Sequence, residues 1–113
     1  MSIRVLKLST GEEIISDIEG ITKVGEKELL PEDIILSRPC SIHLVPTEQG
    51  FGVELLPWAI YAKDHKAIPL KNKNILFCIE PMASIRNQYA EIIGLPTIPD
   101  NSIISPNSGS IIT

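Results

Sequence analysis

Aromatic side chains are scarce in this chain. Phe, Tyr and Trp supply only 2, 2 and 1 of its 113 residues, so the 43% hydrophobic fraction cannot pack as a core of stacked rings. It must pack through Ile, Leu and Val, branched aliphatics that favour strands. Long apolar runs are absent too: nothing approaches the roughly 18 consecutive apolar residues of a membrane-crossing helix. The opening MSIRVLKLST holds no apolar run of signal-peptide length. The expectation is therefore a cytoplasmic protein with no membrane partner, in which Cys40 and Cys78 are buried free thiols rather than a disulfide. At 113 residues the chain has material for one core.

Catalytic signatures are also missing. No Gly-rich phosphate loop, nucleophile elbow or metal-binding helix motif occurs, so no cofactor is expected. There are two histidines. His43 follows Cys40 by three residues, an odd spacing that puts the two on opposite faces of a strand and rules out chelation of one metal. His65 sits in KDHK, a hydrated loop with no partner at ligand spacing. The neighbouring acids Glu12-Glu13 and Glu32-Asp33 diverge in a strand or are solvated in a loop. A hydrolase using His43 or His65 lacks a visible nucleophile–base pair. The sequence reads as a non-enzymatic protein that builds a binding surface.

Charge is present in both signs but segregated. The total is −4, with Glu12 to Asp33 strongly acidic and Lys63 to Asn74 basic through Lys63, Lys66, Lys71 and Lys73. A segregated surface can present a local positive field even when the whole is acidic.

The pattern along the chain is mostly β. Ile3 to Leu8 reads as a strand buried on both faces at one end, Ser9-Thr10-Gly11 as a turn, and Glu13 to about Ile21 as a second strand with Ile14 and Ile18 on one face around Ser16. From Gly20 to Pro39, Gly25, an acidic run and two prolines predict an extended loop with a short strand at Ile34 to Leu36. Cys40, Ile42 and Leu44 then alternate with Ser41 and His43. Phe51 to Ala62 resumes, kinked at Pro57, and a lysine-rich loop follows. Ile75 to Ile79 is apolar at every position and reads as a core strand covered on both faces. Pro81, Met82, Ile85, Tyr89, Ile92 and Ile93, with a stop at Gly94 and Pro96, predict one amphipathic helix over about 82–93. The Pro/Ser/Asn-rich stretch 95–113 reads as a tail beyond a domain at 1–94.

Three of these stretches resemble the Sm or LSm family, which includes bacterial Hfq. LKLSTGEEIISDI resembles its opening hairpin, with Gly11 at the turn. LKNKNILFCIEP resembles its closing motif, a short basic and Asn-containing loop before an apolar strand. VELLPWAIYA stands where the family's ring-edge strand stands. The chain is most similar to short Sm-like proteins of cyanophage or marine metagenomic origin, which share a TGEE-type hairpin and a C-terminal helix. It departs from the family at the KELLPEDIILSRP segment, which lacks the base-holding Asp and Asn. The closing loop has Lys71-Asn72-Lys73-Asn74 in place of Arg-Gly or Lys-His, and the helix lies at the C-terminal end rather than the N-terminal one.

The resemblance implies a mostly β fold, a small, five-stranded, strongly bent Sm-like (SH3-type) barrel with one C-terminal helix. It also implies a cyclic homo-oligomer, because incompletely paired strand edges recruit further copies. The expected interface comprises Phe51, Val53, Leu55 and Trp58 on one edge and Ile75, Phe77 and Ile79 on the other. Each copy would then add Lys71 and Lys73 to one annulus, with Asn72 and Asn74 as amide donors, forming a site for single-stranded RNA or other nucleic acid. The implied role is RNA or DNA processing, in the host cytoplasm if the chain is phage-encoded. The alternative is a structural or adaptor protein that uses the same oligomeric scaffold to bind other proteins.

Overall fold

The computed structural model describes residues 2–94; the expected tail at 95–113 lies outside them. The order is β1 (Ile3–Leu8), β2 (Glu13–Glu19), β3 (Thr22–Val24), β4 (Lys27–Leu29), β5 (Asp33–Thr47), β6 (Gly50–Pro57), β7 (Ile68–Lys71), β8 (Ile75–Ile79) and α1 (Ala83–Ile93). The main antiparallel sheet runs β6-β5-β2-β1-β8, with β7 paired to the first part of β5, while β3 and β4 form a separate hairpin. The sheet thus has six strands rather than the five expected. The fold is mostly β with one C-terminal helix, as the sequence indicates.

Alternation on β1 divides the interior in two. Leu6 and Leu8 join Ile14, Ile18, Ile34 and Leu36 in one cluster, and Ile68 and Leu70 of β7 and Ile75 and Cys78 of β8 pack against it. Strands from both ends of the sheet therefore bend around one apolar interior. Ile3 and Val5 face the other way and join Ile15, Cys40, Leu55 and Tyr89 beneath α1. Each fully buried aliphatic side chain in these clusters contributes about 1.5–3 kcal/mol.

Two bulges set which side chains reach which cluster. Ile15 and Asp17 of β2 oppose Cys40 and Ser37 of β5, so β5 carries one extra residue there. Arg38 takes φ 53 at that point. Because side chains alternate with a period of two, the extra residue reverses the facing of everything after it. Ile34 and Leu36 point into the bent sheet, whereas Cys40 and Ile42 turn towards α1. A second irregularity lies at Leu76, since Lys7 and Leu8 of β1 oppose Phe77 and Ile75.

The bulge in β5 is closed by Tyr89, a fully buried residue of α1. Its hydroxyl accepts from the Asp17 N–H (3.1 Å) and reaches the Ser37 and Arg38 carbonyls (2.9 Å each). Backbone groups beside a bulge must find partners elsewhere, and here the helix supplies them. Burial pushes the Tyr89 phenol up to about 12 and the Cys40 thiol up to about 11. The end of α1 is held by Gly94 at φ 80 and by Arg38 Nη1, which donates to the Ile93 carbonyl (3.0 Å). That places a cation where the helix carbonyls and dipole favour one.

Several expectations need correction. Gly20 to Pro39 is not an extended loop: Gly25 at φ 65 turns β3 into β4, and β5 runs unbroken from Asp33 through Pro39. Trp58 to Tyr61 do not continue the β6 strand, which ends at Pro57, and β7 forms within the lysine-rich segment instead. β8 is not covered on both faces. The bulge at Leu76 groups Ile75 with Cys78, leaving Leu76, Phe77 and Ile79 exposed. In α1, Met82 and Ile92 are exposed, and Ser84 and Gln88 take buried positions. Of the two free thiols, Cys40 is buried and Cys78 half-buried.

Candidate nucleic-acid interface and open sheet edges

The loop joining β7 to β8 is a single 3-10 turn over Asn72–Asn74. The Asn72 N–H donates to the Glu32 carbonyl (2.9 Å), its Nδ2 to the Leu30 carbonyl (3.3 Å), and the Ser9 N–H donates to the Asn74 carbonyl (2.8 Å). These bonds set the loop between the β1–β2 turn and the segment leading into β5. Two of the four expected binding residues already have partners. Lys71 stands directly across from Asp33, with Nζ 2.5 Å from Oδ1, and the Asn72 amide is held by backbone. Lys73 is exposed and makes no ion pair among the described residues. Asp33 offsets the charge of Lys71. The Lys71–Asp33 pair is about half exposed on both sides, and pairs of this kind contribute only about 0–1 kcal/mol and are screened by salt.

Among the described residues both ends of the main sheet are unpaired: β6 bonds only to β5, and β8 only to β1. Of the residues expected at an interface, Phe51, Phe77 and Ile79 are exposed, Phe51 at 78%. Leu44, near Phe51 on the hairpin of β5 and β6, is 74% exposed. Val53 is half-buried, and its carbonyl accepts from Gln88 Nε2 (2.7 Å), which ties α1 to the edge strand. Leu55, Ile75 and Trp58 face inward. Leu55 lies in the cluster under α1, while Ile75 and Trp58 pack against the cluster within the bent sheet. The Trp58 indole also donates to Glu12 Oε2 (3.1 Å).

A serine and a histidine do meet. Ser41 Oγ lies 3.0 Å from His43 Nε2, two residues along one strand face, and the Ser41 hydroxyl also approaches the Leu56 carbonyl at 3.4 Å. Among the described residues no carboxylate bonds to the other ring nitrogen. The strand's own N–H groups lie in the plane of the sheet, where they form no oxyanion pocket. Among the described residues no cluster of His, Cys, Asp and Glu is arranged to hold a metal ion. No described helix is long and apolar enough to cross a membrane.

Two further features escape sequence reasoning. Arg4, at the end of β1, donates through Nε to Glu28 Oε1 (3.0 Å) and through Nη2 to Oε2, fastening the β3–β4 hairpin to the main sheet. These hydrogen bonds hold the Glu28 carboxyl below its ordinary range and raise the Arg4 guanidinium. The second is the loop 58–67. Ala59 takes φ 57, and the Ala62 N–H donates to its carbonyl (2.9 Å), so Ile60 and Tyr61 occupy the tip of a tight turn. Tyr61 is 95% exposed. The only sequence signal was an aromatic among the polar residues of YAKDHK. No family model and no curated protein matches the chain.

Proposed function

We propose that the chain is a non-enzymatic, Sm-like module that closes into a ring through its two open sheet edges and binds single-stranded nucleic acid, RNA foremost, in RNA or DNA processing. The observation that carries this reading is the strand order. Among the described residues the first hairpin lies at the centre, β8 folds back onto β1, and β6 and β8 are left as unpaired ends of one bent sheet. Such an arrangement is the natural precursor of a barrel that pairs head to tail with its copies. Exposed Phe51 on one edge and exposed Phe77 and Ile79 on the other support it, since bare apolar edges are a liability that another chain removes. A head-to-tail contact closes into a ring when its rotation allows. Each copy then adds Lys73, and a Lys71 held only by an exposed ion pair, to a shared annulus.

A second reading, a protein-binding scaffold built on the same ring, is favoured by one observation. Asp33 stands across from Lys71 and offsets its charge. Light scattering on the purified protein tests assembly. Titration of labelled single-stranded RNA at two salt concentrations, with wild type and the Lys71→Ala/Lys73→Ala double variant, tests the ligand. A monomer with both edges open refutes the ring. An intact ring with no RNA affinity at low salt refutes the nucleic-acid function and leaves the scaffold.

A further inference from the structure

Resting on the reading above that the module binds single-stranded nucleic acid, we infer that the loop 58–67, rather than the Asn72–Asn74 turn alone, supplies a base-stacking subsite, with Tyr61 as the platform and Lys63 and Lys66 as phosphate contacts. Three observations converge on this loop. Tyr61 is the most exposed large apolar side chain among the described residues, at 95%, with Ile60 beside it at 59%. An aromatic ring held in water makes no contribution to the core and has both faces available.

The loop that presents it is built rather than slack. The Trp58 N–H donates to the Pro39 carbonyl (3.0 Å) at one end, and the Arg38 N–H donates to the His65 carbonyl at the other. Between them the Lys66 N–H donates to Asp64 Oδ1 (2.9 Å), and Ala59 is kept at φ 57, a left-handed conformation that crowds an alanine Cβ against the following carbonyl. A non-glycine residue held there persists only where the surroundings fix it, and such positions cluster at functional sites.

The local charge is the third observation. Lys63 and Lys66 lie in the loop and Arg38 lies at its anchor, three cations against two acids, Asp64 in the loop and Glu12 on the Trp58 indole. The chain's net charge is −4, yet this corner is cationic. By contrast, Lys71 of the β7–β8 connection is already paired with Asp33. Groups that bind single strands without sequence preference combine aromatic platforms for the bases with a cationic track for the backbone, and this loop holds both within a few residues.

The test uses the full-length protein and a labelled oligouridine RNA, followed by fluorescence anisotropy. Tyr61→Ala is expected to weaken binding about five- to a hundred-fold, the effect of removing one stacked base, while Tyr61→Trp keeps wild-type affinity. Lys63→Ala/Lys66→Ala is expected to lower the slope of log affinity against log salt by about 1.4, about 0.7 for each phosphate no longer neutralised. Tyr61 is solvated, so these variants leave the fold intact, and circular dichroism checks that they do. Wild-type binding that is indifferent to Tyr61 and to both lysines overturns this assignment while the nucleic-acid function stands. If wild type binds no oligonucleotide at low salt, both fail. If it instead associates with phosphatidylserine vesicles in a Tyr61-dependent manner, the loop is a lipid-contact element and the stacking assignment falls.

Discussion

Replacing Tyr89 with Phe removes one oxygen atom from the middle of the protein and changes almost no volume. The hydroxyl satisfies the Asp17 N–H and shares its proton between the Ser37 and Arg38 carbonyls, with all three contacts at 2.9–3.1 Å. Its ring is fully buried beneath α1, so water cannot replace it without opening the helix–sheet contact. A buried polar group left without a partner costs about 1–3 kcal/mol. The N–H counts once, and the two carbonyls, which share one proton, count together once. Taken at about 1–1.5 kcal/mol each, the low end of that range because the helix–sheet contact can relax, the expected loss is about 2–3 kcal/mol. For a domain of this size each kcal/mol lowers Tm by about 4–8 °C, so the shift is about 10–20 °C. Urea unfolding at fixed protein concentration measures the loss, and an unchanged m-value shows that the unfolded state is unaltered. Tyr61→Phe is the control, expected to stay within about 0.5 kcal/mol of wild type because its hydroxyl meets solvent. A Tyr89→Phe loss below about 0.5 kcal/mol would refute the argument that this hydroxyl closes the bulge.

Stability is expected to fall at alkaline pH in two overlapping stages. The unfolded Cys40 and Tyr89 ionise near 9 and 10, while their folded forms hold their protons until about 11 and 12. Stability is then complete below pH 9 and lost as pH rises towards 12, and Cys40→Ala reduces the earlier stage, to which the Cys78 thiol, also pushed up by burial, contributes, in a denaturation series against pH. Glu28 has the opposite sign. Its stabilisation is present above the ordinary carboxylate value of 4.5 and lost as pH falls through the lower folded value. Glu28→Gln flattens that acid limb, and retention of the full acid loss in this variant would dismiss Arg4 as the cause. Phe51→Glu and Phe77→Glu each add charge to an open edge without touching either buried cluster. Light scattering should report a monomer with unchanged circular dichroism, whereas full-sized assemblies would locate the contact elsewhere.

The first hairpin and the helix were legible in the sequence because each is governed by local chemistry. Gly11 marks the β1–β2 turn at φ 95, and Gly94 ends α1 at φ 80, both conformations suited to a residue without Cβ. Ile14 and Ile18 share a face around Ser16, as their spacing requires, and all three are buried. What the sequence concealed depends on pairing between distant strands. A period of two predicts that Ile75, Phe77 and Ile79 share a face, but the bulge at Leu76 moves Ile75 to the opposite one. The segment from Gly20 to Pro39 looked irregular because proline and charge dominate it. Partners on both sides of β5 override those preferences, β2 along one edge and β6 and β7 along the other. The candidate site was legible in composition, as a lysine-rich stretch near Asn72, but not in electrostatics. Asp33 lies 38 residues before Lys71 in the chain, and only the β5–β7 register brings them together.

The surplus residue at Arg38 divides the chain into stretches with very different tolerance to change in length. Losing one residue between Asp33 and Cys40 would turn Cys40, Ile42 and their partners away from α1 and expose the cluster beneath it, so drift in length there would be purged. The loop 58–67 is anchored at the same corner, by Trp58 to Pro39 and Glu12 at one end and by His65 to Arg38 at the other. A change of length at its tip would move Tyr61 while the sheet keeps its register.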